Sequence, residues 1–159
     1  MINGSFVFGL DSDGPDVFAR TVAWGVEHSL ATATYHILTP YPSTPIFERF
    51  DHAGRILTQD WELYDTRHVV YAPKGLSGRE LEAGYLWAYR EFYAWKNIIK
   101  AARGHEGLRF KLKQLCYTGG WKKAEPFWKV IINSGMLEQM LPFLEFLLAE
   151  GNIMQNEEE

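Results

Sequence analysis

Residues 3–50 constrain the fold more than any other stretch. Phe6-Val7-Phe8-Gly9-Leu10-Asp11 reads as a strand and a helical pattern follows. Ala33-Thr34-Tyr35-His36-Ile37-Leu38-Thr39-Pro40-Tyr41-Pro42 then reads as a second strand with a proline-rich elbow. Strands joined by a crossover helix of this length run parallel. Their ends, Gly9-Leu10-Asp11 and Leu38-Thr39-Pro40, then emerge on one side, where alternating strand–helix sheets and barrels bind ligands. Two strands cannot close a sheet, so the stretch reads as part of something larger.

The rest of the chain supplies enough apolar surface for a core. It has 159 residues, 47% of them hydrophobic and 15% aromatic. Its net charge of -4 is unevenly spread. Residues 1–95 carry 7 Lys/Arg against 12 Asp/Glu, residues 96–129 carry 9 against 2, and residues 130–159 carry none against 6. The basic segment is either the solvent face of amphipathic helices or a patch for phosphates or an anionic membrane surface. Peripheral membrane contact is therefore left open, and no nucleic-acid partner is expected. The one cysteine, Cys116, excludes a disulfide within the chain and an iron–sulfur cluster held by this chain alone. It points to a reducing, cytoplasmic setting. Set in a helical pattern with Leu112 and Leu115, Cys116 is expected to be a small buried hydrophobe. The N-terminus lacks the features of a signal peptide. Val130–Ala149 is too interrupted by polar residues and Pro142 to span a membrane, so a soluble chain is expected.

Along the chain, Asp13-Gly14-Pro15-Asp16 starts a helix whose face is Val17, Phe18, Thr21, Val22, Gly25 and Val26. A strand over roughly 31–39 leads to a second helix, with Thr44 as cap, Pro45 in the first position, Glu48 in the first turn and Gly54 as stop. Ile56-Leu57 and Val69-Val70-Tyr71 are short strand-like runs around a loop dense in aromatics and charges, Asp60–His68. In that loop Trp61 and Tyr64 either face a ligand or lock the loop onto the body. Ser77-Gly78-Arg79-Glu80 is a capping box for a helix reaching about residue 103. Its stripe is Leu81, Tyr85, Ala88, Phe92, Trp95 and Ile99, within a region so aromatic that the helix is either covered on two sides, the expected case, or lines a cavity or partner surface. Gly104 and Gly107 break it, and Leu108, Leu112 and Leu115 stripe a shorter helix broken at Gly119-Gly120. A helix ending at Gly135 and another over about 137–150, kinked or delayed by Pro142, complete an all-helical C-terminal half.

Spacing alone names no reaction. The five histidines (His28, His36, His52, His68 and His105) show no metal-ligand pairing. Asp11 and Asp13 suit a Mg²⁺ or ribose partner and equally a turn with a cap. No phosphate loop, dinucleotide fingerprint or nucleophile elbow occurs.

Several runs nevertheless carry a resemblance. Phe6–Asp13, followed by a helix and Ile37-Leu38-Thr39-Pro40-Tyr41-Pro42-Ser43-Thr44-Pro45, resembles the last strands of a radical S-adenosylmethionine barrel. Ile56-Leu57-Thr58-x-Asp60-Trp61, Tyr64-Asp65-x-Arg67-His68-Val69-Val70 and Gly84-Tyr85-x-Trp87-Ala88-Tyr89-Arg90-x-Phe92-Tyr93 narrow it. Together they are similar to the C-terminal part of cobalamin-dependent radical enzymes of the cyclase and hopanoid-methylase type. The resemblance implies a partial (β/α)6 barrel holding a 4Fe-4S cluster and S-adenosylmethionine, with cobalamin on a separate domain. It implies cofactor contacts at Val7, Gly9, Ser12, Leu38, Thr39 and Pro40, and substrate contacts at Trp61, Tyr64, Arg67 and His68. In the fifth-strand pattern Gly-x-Ile-x-Gly-x-x-Glu the matching residues are Ser5, Val7, Gly9 and Ser12, so the first glycine and the glutamate are replaced. The three-cysteine cluster motif of the first strand has no counterpart here.

The expected fold is therefore an α/β fragment followed by helices, mostly α overall. Residues 1–54 form the trailing β-α-β-α part of the barrel, 55–76 an aromatic and charged linker with short strands, 77–150 a helical domain, and 151–159 a disordered tail. As a C-terminal fragment without catalytic or metal-binding residues, the chain is expected to be inactive alone. It would contribute part of the S-adenosylmethionine rim and a substrate-covering domain to a parent acting on a lipid or tetrapyrrole-like substrate. Its partner is the remainder of that polypeptide; in isolation, exposed strand edges favour a homodimer or a rearranged N-terminal segment. The rival reading is a non-catalytic helical module that docks residues 96–129 on an acidic partner or membrane.

Overall fold

A computed structural model describes the backbone of residues 2–133 and the side chains of residues 2–120. The chain divides into two compact units, Met1–Gly119 and Gly120–Glu159. The elements are β1 (Asn3–Phe8), α1 (Val17–Glu27), β2 (Thr32–Ile37), α2 (Pro45–His52), a single 3-10 turn (Trp61–Leu63), α3 (Gly78–Phe92), α4 (Trp95–Arg103) and α5 (Leu108–Asn133). The described chain is thus mostly α, with an α/β N-terminal part. The helix after residue 135, Pro142 and the 151–159 tail lie outside the described residues.

The alternation of the two strands decides which side of the sheet is covered. β1 and β2 pair in parallel, from Asn3 opposite Thr32 to Phe8 opposite Ile37. Phe6, Phe8, Ala33, Tyr35 and Ile37 fall on one face by their period of two. There Phe8 stacks on Tyr35 at 5.4 Å and meets Phe18 of α1 edge-on at 4.8 Å. The α1 face read from the sequence is the one buried, through Phe18, Val22, Gly25 and Val26. Leu81, Ala88 and Phe92 of α3 join the same core, as do Val70 and Tyr71 from the intervening segment. Each such large side chain contributes about 1.5–3 kcal/mol when fully buried. The other face carries Ser5 and Val7, both exposed, beside half-buried Thr34 and His36.

The two edges of this sheet differ. In the parallel register the N–H and C=O groups of Ala33 and Tyr35 turn away from β1. The Tyr93 hydroxyl accepts from the Ala33 amide at 3.2 Å and donates to the Ala33 carbonyl at 3.1 Å. The Tyr89 hydroxyl does the same for Tyr35, at 3.0 and 3.2 Å. One turn of helix advances about 6 Å over four residues and a strand about 6.6 Å over two, so the pairs match. Upstream, Gln114 Nε2 donates to the Leu30 carbonyl at 2.9 Å and Thr118 Oγ1 to the Ala31 carbonyl at 2.7 Å. Downstream, the Ile37 amide donates to the Thr66 carbonyl at 2.7 Å. Side chains and a loop thus take the place of a third strand beside β2. By the same register Asn3, Ser5 and Val7 turn their backbone groups to the outer edge of β1, which no described strand occupies.

Several local expectations hold. Thr44 caps α2 by accepting from the Phe47 amide, with Pro45 next, and Gly54 follows the helix with a φ of 64°. Ser77 and Glu80 form the reciprocal capping box. Ile56 and Tyr71 form an antiparallel bridge.

Others are corrected. The helix from residue 78 does not run on to 103: Ala94 is extended (φ -66°, ψ 138°) and separates α3 from α4. The Asn97 side chain stabilises the break by donating to the Glu91 carbonyl at 2.7 Å. The interruption rotates the stripe, so Trp95 and Ile99 are exposed while Ile98, Ala101 and Ala102 are buried. Gly119-Gly120 does not end α5, which continues to Asn133; Gly119 instead lets Trp95 approach, at 3.1 Å from where a Cβ would sit. Finally, α5 docks through Gln114 and Thr118, leaving Leu108, Leu112 and Cys116 exposed. Hydrogen bonds to the Leu30 and Ala31 carbonyls outrank the leucine stripe there, because an unmet buried carbonyl is costly.

Candidate functional site

Both strands end at one rim, and the loop after β1 is held from several sides. The Asp13 carboxylate accepts from the Gly9 and Leu10 amides at 2.9 and 3.0 Å, the turn-type role among the two open for it. Gly9 has a φ of 96°, a conformation glycine adopts without strain. The Tyr71 hydroxyl donates to the Gly9 carbonyl, and a Cβ at Gly9 would lie 2.8 Å from Leu81 Cδ2. Asp11 receives both arms of Arg55, at 2.7 and 3.1 Å, and Lys74 at 3.2 Å. The Arg55 hydrogen bonds, aided by Lys74, hold the Asp11 pKa down at about 2. Arg55 also lies 4.1 Å over the Phe50 ring. Burial raises the Tyr71 pKa, so this hydroxyl stays protonated and a donor at neutral pH.

The six cofactor-contact candidates fall into two groups. Val7, on the uncovered face, is 47% exposed, and Ser12, in the rim loop, is exposed too. Gly9 is buried against Tyr71 and Leu81, and Pro40 is fully buried. Thr39 is buried with its Oγ1 donating to the Ile37 carbonyl at 3.1 Å, and Leu38 is half-buried. Val7 and Ser12 are thus open to a ligand, while the other four shape the rim.

The substrate candidates lie in the loop that leads to the Ile56–Tyr71 bridge. Trp61 is 53% exposed and packs on Tyr64 at 4.9 Å and Phe47 at 6.3 Å. Tyr64 is 6% exposed and donates to the Thr58 carbonyl at 2.8 Å, so it anchors the loop while Trp61 faces outward. Arg67 and His68 are exposed in a turn organised by Asp65, whose Oδ1 accepts from both amides and meets His68 Nδ1 at 3.0 Å. Burial pulls the Asp65 pKa upward, but these hydrogen bonds hold it below the ordinary carboxylate value. Exposed Leu57 and Tyr41 add apolar surface.

Two features of the site escaped the sequence reading. His36, weighed there as a metal ligand and read rather as a polar surface or capping group, lies on the uncovered face with Nδ1 3.1 Å from Thr66 Oγ1. The alternation of Thr34-Tyr35-His36 could have put it there. The Arg55–Asp11 clamp joins residues 44 apart and left no local signal. Among the described residues, no three His, Cys, Asp or Glu side chains gather where they could hold a metal ion. No described helix is long and apolar enough to cross a membrane.

Comparison with known proteins adds chemistry that the geometry does not name. The chain is 34% identical over 103 residues to the bacteriochlorophyllide d C-12(1)-methyltransferase of Chlorobaculum tepidum, covering 65% of this chain and 22% of that protein. It is 28% identical over 98 residues to the bacteriochlorophyllide d C-8(2)-methyltransferase of the same organism, covering 62% and 22%. It is 30% identical over 96 residues to the anaerobic magnesium-protoporphyrin IX monomethyl ester cyclase of Cereibacter sphaeroides, covering 59% and 15%. The chain therefore spans about a fifth of the length of the curated methyltransferases it matches. No protein-family model and no solved structure matches it.

Proposed function

We propose that this chain is the closing portion of a larger radical S-adenosylmethionine enzyme, one using cobalamin, that methylates or cyclises a tetrapyrrole. The observation that carries the reading is the one-sided sheet. The last two strands of an open barrel need helices on one face only, a free edge toward earlier strands and a finished edge after the last. β1 and β2 fit all three requirements: α1 and α3 cover one face, no described strand occupies the outer edge of β1, and Tyr89 and Tyr93 close β2 with Gln114 and Thr118 closing the residues just before it. The partner at the β1 edge is the remainder of the same polypeptide.

The relatives' names supply the substrate class, since bacteriochlorophyllide and magnesium-protoporphyrin are flat conjugated macrocycles. Trp61 offers an exposed ring on which such a macrocycle stacks, and Arg67 a guanidinium fork for a carboxylate on its edge. Tyr64 and Asp65 fix the loop that bears them. Val7 and Ser12 fit a contact with S-adenosylmethionine, which with its reducing cluster supplies the one-electron chemistry when bound. A 4Fe-4S cluster does not fit this chain, whose sole thiol is Cys116, so no step here runs through it. The chain's own contribution is to bind and orient substrate and to keep the rim rigid, and it is inactive alone.

The test compares the complete polypeptide, purified anaerobically, with this chain. Under reductant the complete protein releases 5′-deoxyadenosine from S-adenosylmethionine and this chain does not. Trp61→Ala and Arg67→Ala in the complete protein each raise KM for the tetrapyrrole about ten-fold, equivalent to about 1.4 kcal/mol. Cleavage by this chain alone, or none by the complete protein, refutes the proposal.

A further inference from the structure

The docking of α5 leaves several of its described apolar side chains exposed, at the end of the sheet away from the rim. Gln114 and Thr118 reach the carbonyls of Leu30 and Ala31, just before β2 begins, whereas the rim lies after Phe8 and Ile37. With those two residues inward, the helical period of about 100° per residue turns Leu112 and Lys113 away from the sheet and sets Leu108 and Tyr117 on the flanks, while Phe110, one turn before Gln114, is exposed near the start of the helix. Leu108 is 72% exposed, Phe110 58%, Leu112 52% and Tyr117 51%. Arg109 and Lys113 sit between them, both exposed. From residue 107 to residue 124 the sequence has five Lys or Arg and no Asp or Glu. On α4, exposed Trp95, Ile99, Lys100 and Arg103 extend the same composition.

We propose that the exposed side of α5 up to residue 119 is a docking surface for an anionic lipid bilayer. The charge decides the occupant. Among the described residues the charges on and beside this part of α5, Arg109, Lys111 and Lys113 against Glu106, are net positive and so attracted to anionic headgroups, and each such cation near a membrane contributes about 1 kcal/mol. The apolar side chains decide between a bilayer and an acidic protein. Leu, Phe and Tyr scattered among cations suit an interface that accepts them at any orientation. Lysine and arginine stems lie along the apolar surface while their heads reach the phosphates. The surface is also separate from the rim, so binding to lipid leaves the loops at the strand ends open.

Co-sedimentation of this chain with vesicles tests the proposal. Vesicles of phosphatidylcholine with phosphatidylglycerol should bind it, vesicles of phosphatidylcholine alone should not, and added salt should release it. Lys113→Gln should weaken the partitioning about five-fold, the factor corresponding to about 1 kcal/mol. Phe110→Ser with Leu112→Ser should weaken binding to the anionic vesicles at low salt, where the apolar contacts add to the charge attraction. These side chains are exposed, so the variants should keep the parent's circular dichroism spectrum. Absence of binding to the anionic vesicles, or binding that the substitutions leave unchanged, overturns the proposal. Equal affinity for soluble polyglutamate, insensitive to the Phe110 and Leu112 changes, overturns it in favour of an acidic protein partner.

Discussion

Replacing Tyr93 by Phe removes one oxygen atom and leaves the ring in place, so it isolates the closure of the β2 edge. The hydroxyl pairs with both the amide and the carbonyl of Ala33, which is 0% exposed, and Tyr93 itself is 6% exposed. Water cannot take over at such a site. A buried polar group left unmet costs about 1–3 kcal/mol, and the carbonyl, with two lone pairs, suffers less than the amide. Tyr93→Phe is therefore expected to cost about 2–4 kcal/mol. Tyr89 is only half-buried, so a water can replace its hydroxyl and Tyr89→Phe should cost about 1–2 kcal/mol. The double variant falls short of the sum if one water-filled opening serves both sites. Urea unfolding should show a lower midpoint with an unchanged slope. Hydrogen exchange should quicken at the Ala33 and Tyr35 amides. Tyr117→Phe, at a 51% exposed position, should change neither. If Tyr93→Phe unfolds within about 0.5 kcal/mol of the parent and the Ala33 amide stays protected, the account of the edge is wrong.

Two further perturbations probe the rim. The folded pKa of Asp11 lies at about 2, below its unfolded value, so the clamp's stability is fully present above pH 4 and is lost as pH falls toward about 2. Asp11 is partly solvent-screened, so Asp11→Asn should cost no more than about 1 kcal/mol at pH 7, and urea unfolding should show that deficit vanishing near pH 2. Gly9→Ala places a Cβ against Tyr71 and Leu81 in a left-handed backbone, and should cost about 1–3 kcal/mol by urea unfolding; a neutral outcome would show that the loop is not held as described.

Local chemistry made the elements readable, and long-range contacts decided the rest. The β-α-β-α order, the Thr44 and Ser77 caps and the buried face of α1 follow from residues within a turn or two of one another, so short windows contain their causes. The inward turn of Gln114 and Thr118 has its cause at Leu30 and Ala31, which no helical periodicity reports. The same holds for the break at Ala94, which lets Tyr93 reach Ala33 while α4 packs by another face. At the rim, the density of Trp61, Tyr64, Arg67 and His68 stood out in the sequence. That Tyr64 is the anchor and Trp61 the exposed ring depends on the hydrogen bond to Thr58, which composition does not show.

The groups that finish the β2 edge all follow the strand in the chain. Tyr89 lies 54 residues beyond Tyr35, Tyr93 lies 60 beyond Ala33, and Thr118 lies 87 beyond Ala31. At roughly 5–20 residues per second, a ribosome takes about 4–17 s to deliver the last of them after the strand has been made. During that interval the nascent chain carries a hydrophobic, β-prone segment whose outer hydrogen-bonding groups are unmet, the form most apt to pair with a neighbouring copy. Slowed translation between residues 40 and 118, or loss of the hydroxyls, lengthens the same vulnerable state, so yield in cells will depend on events before the native structure exists.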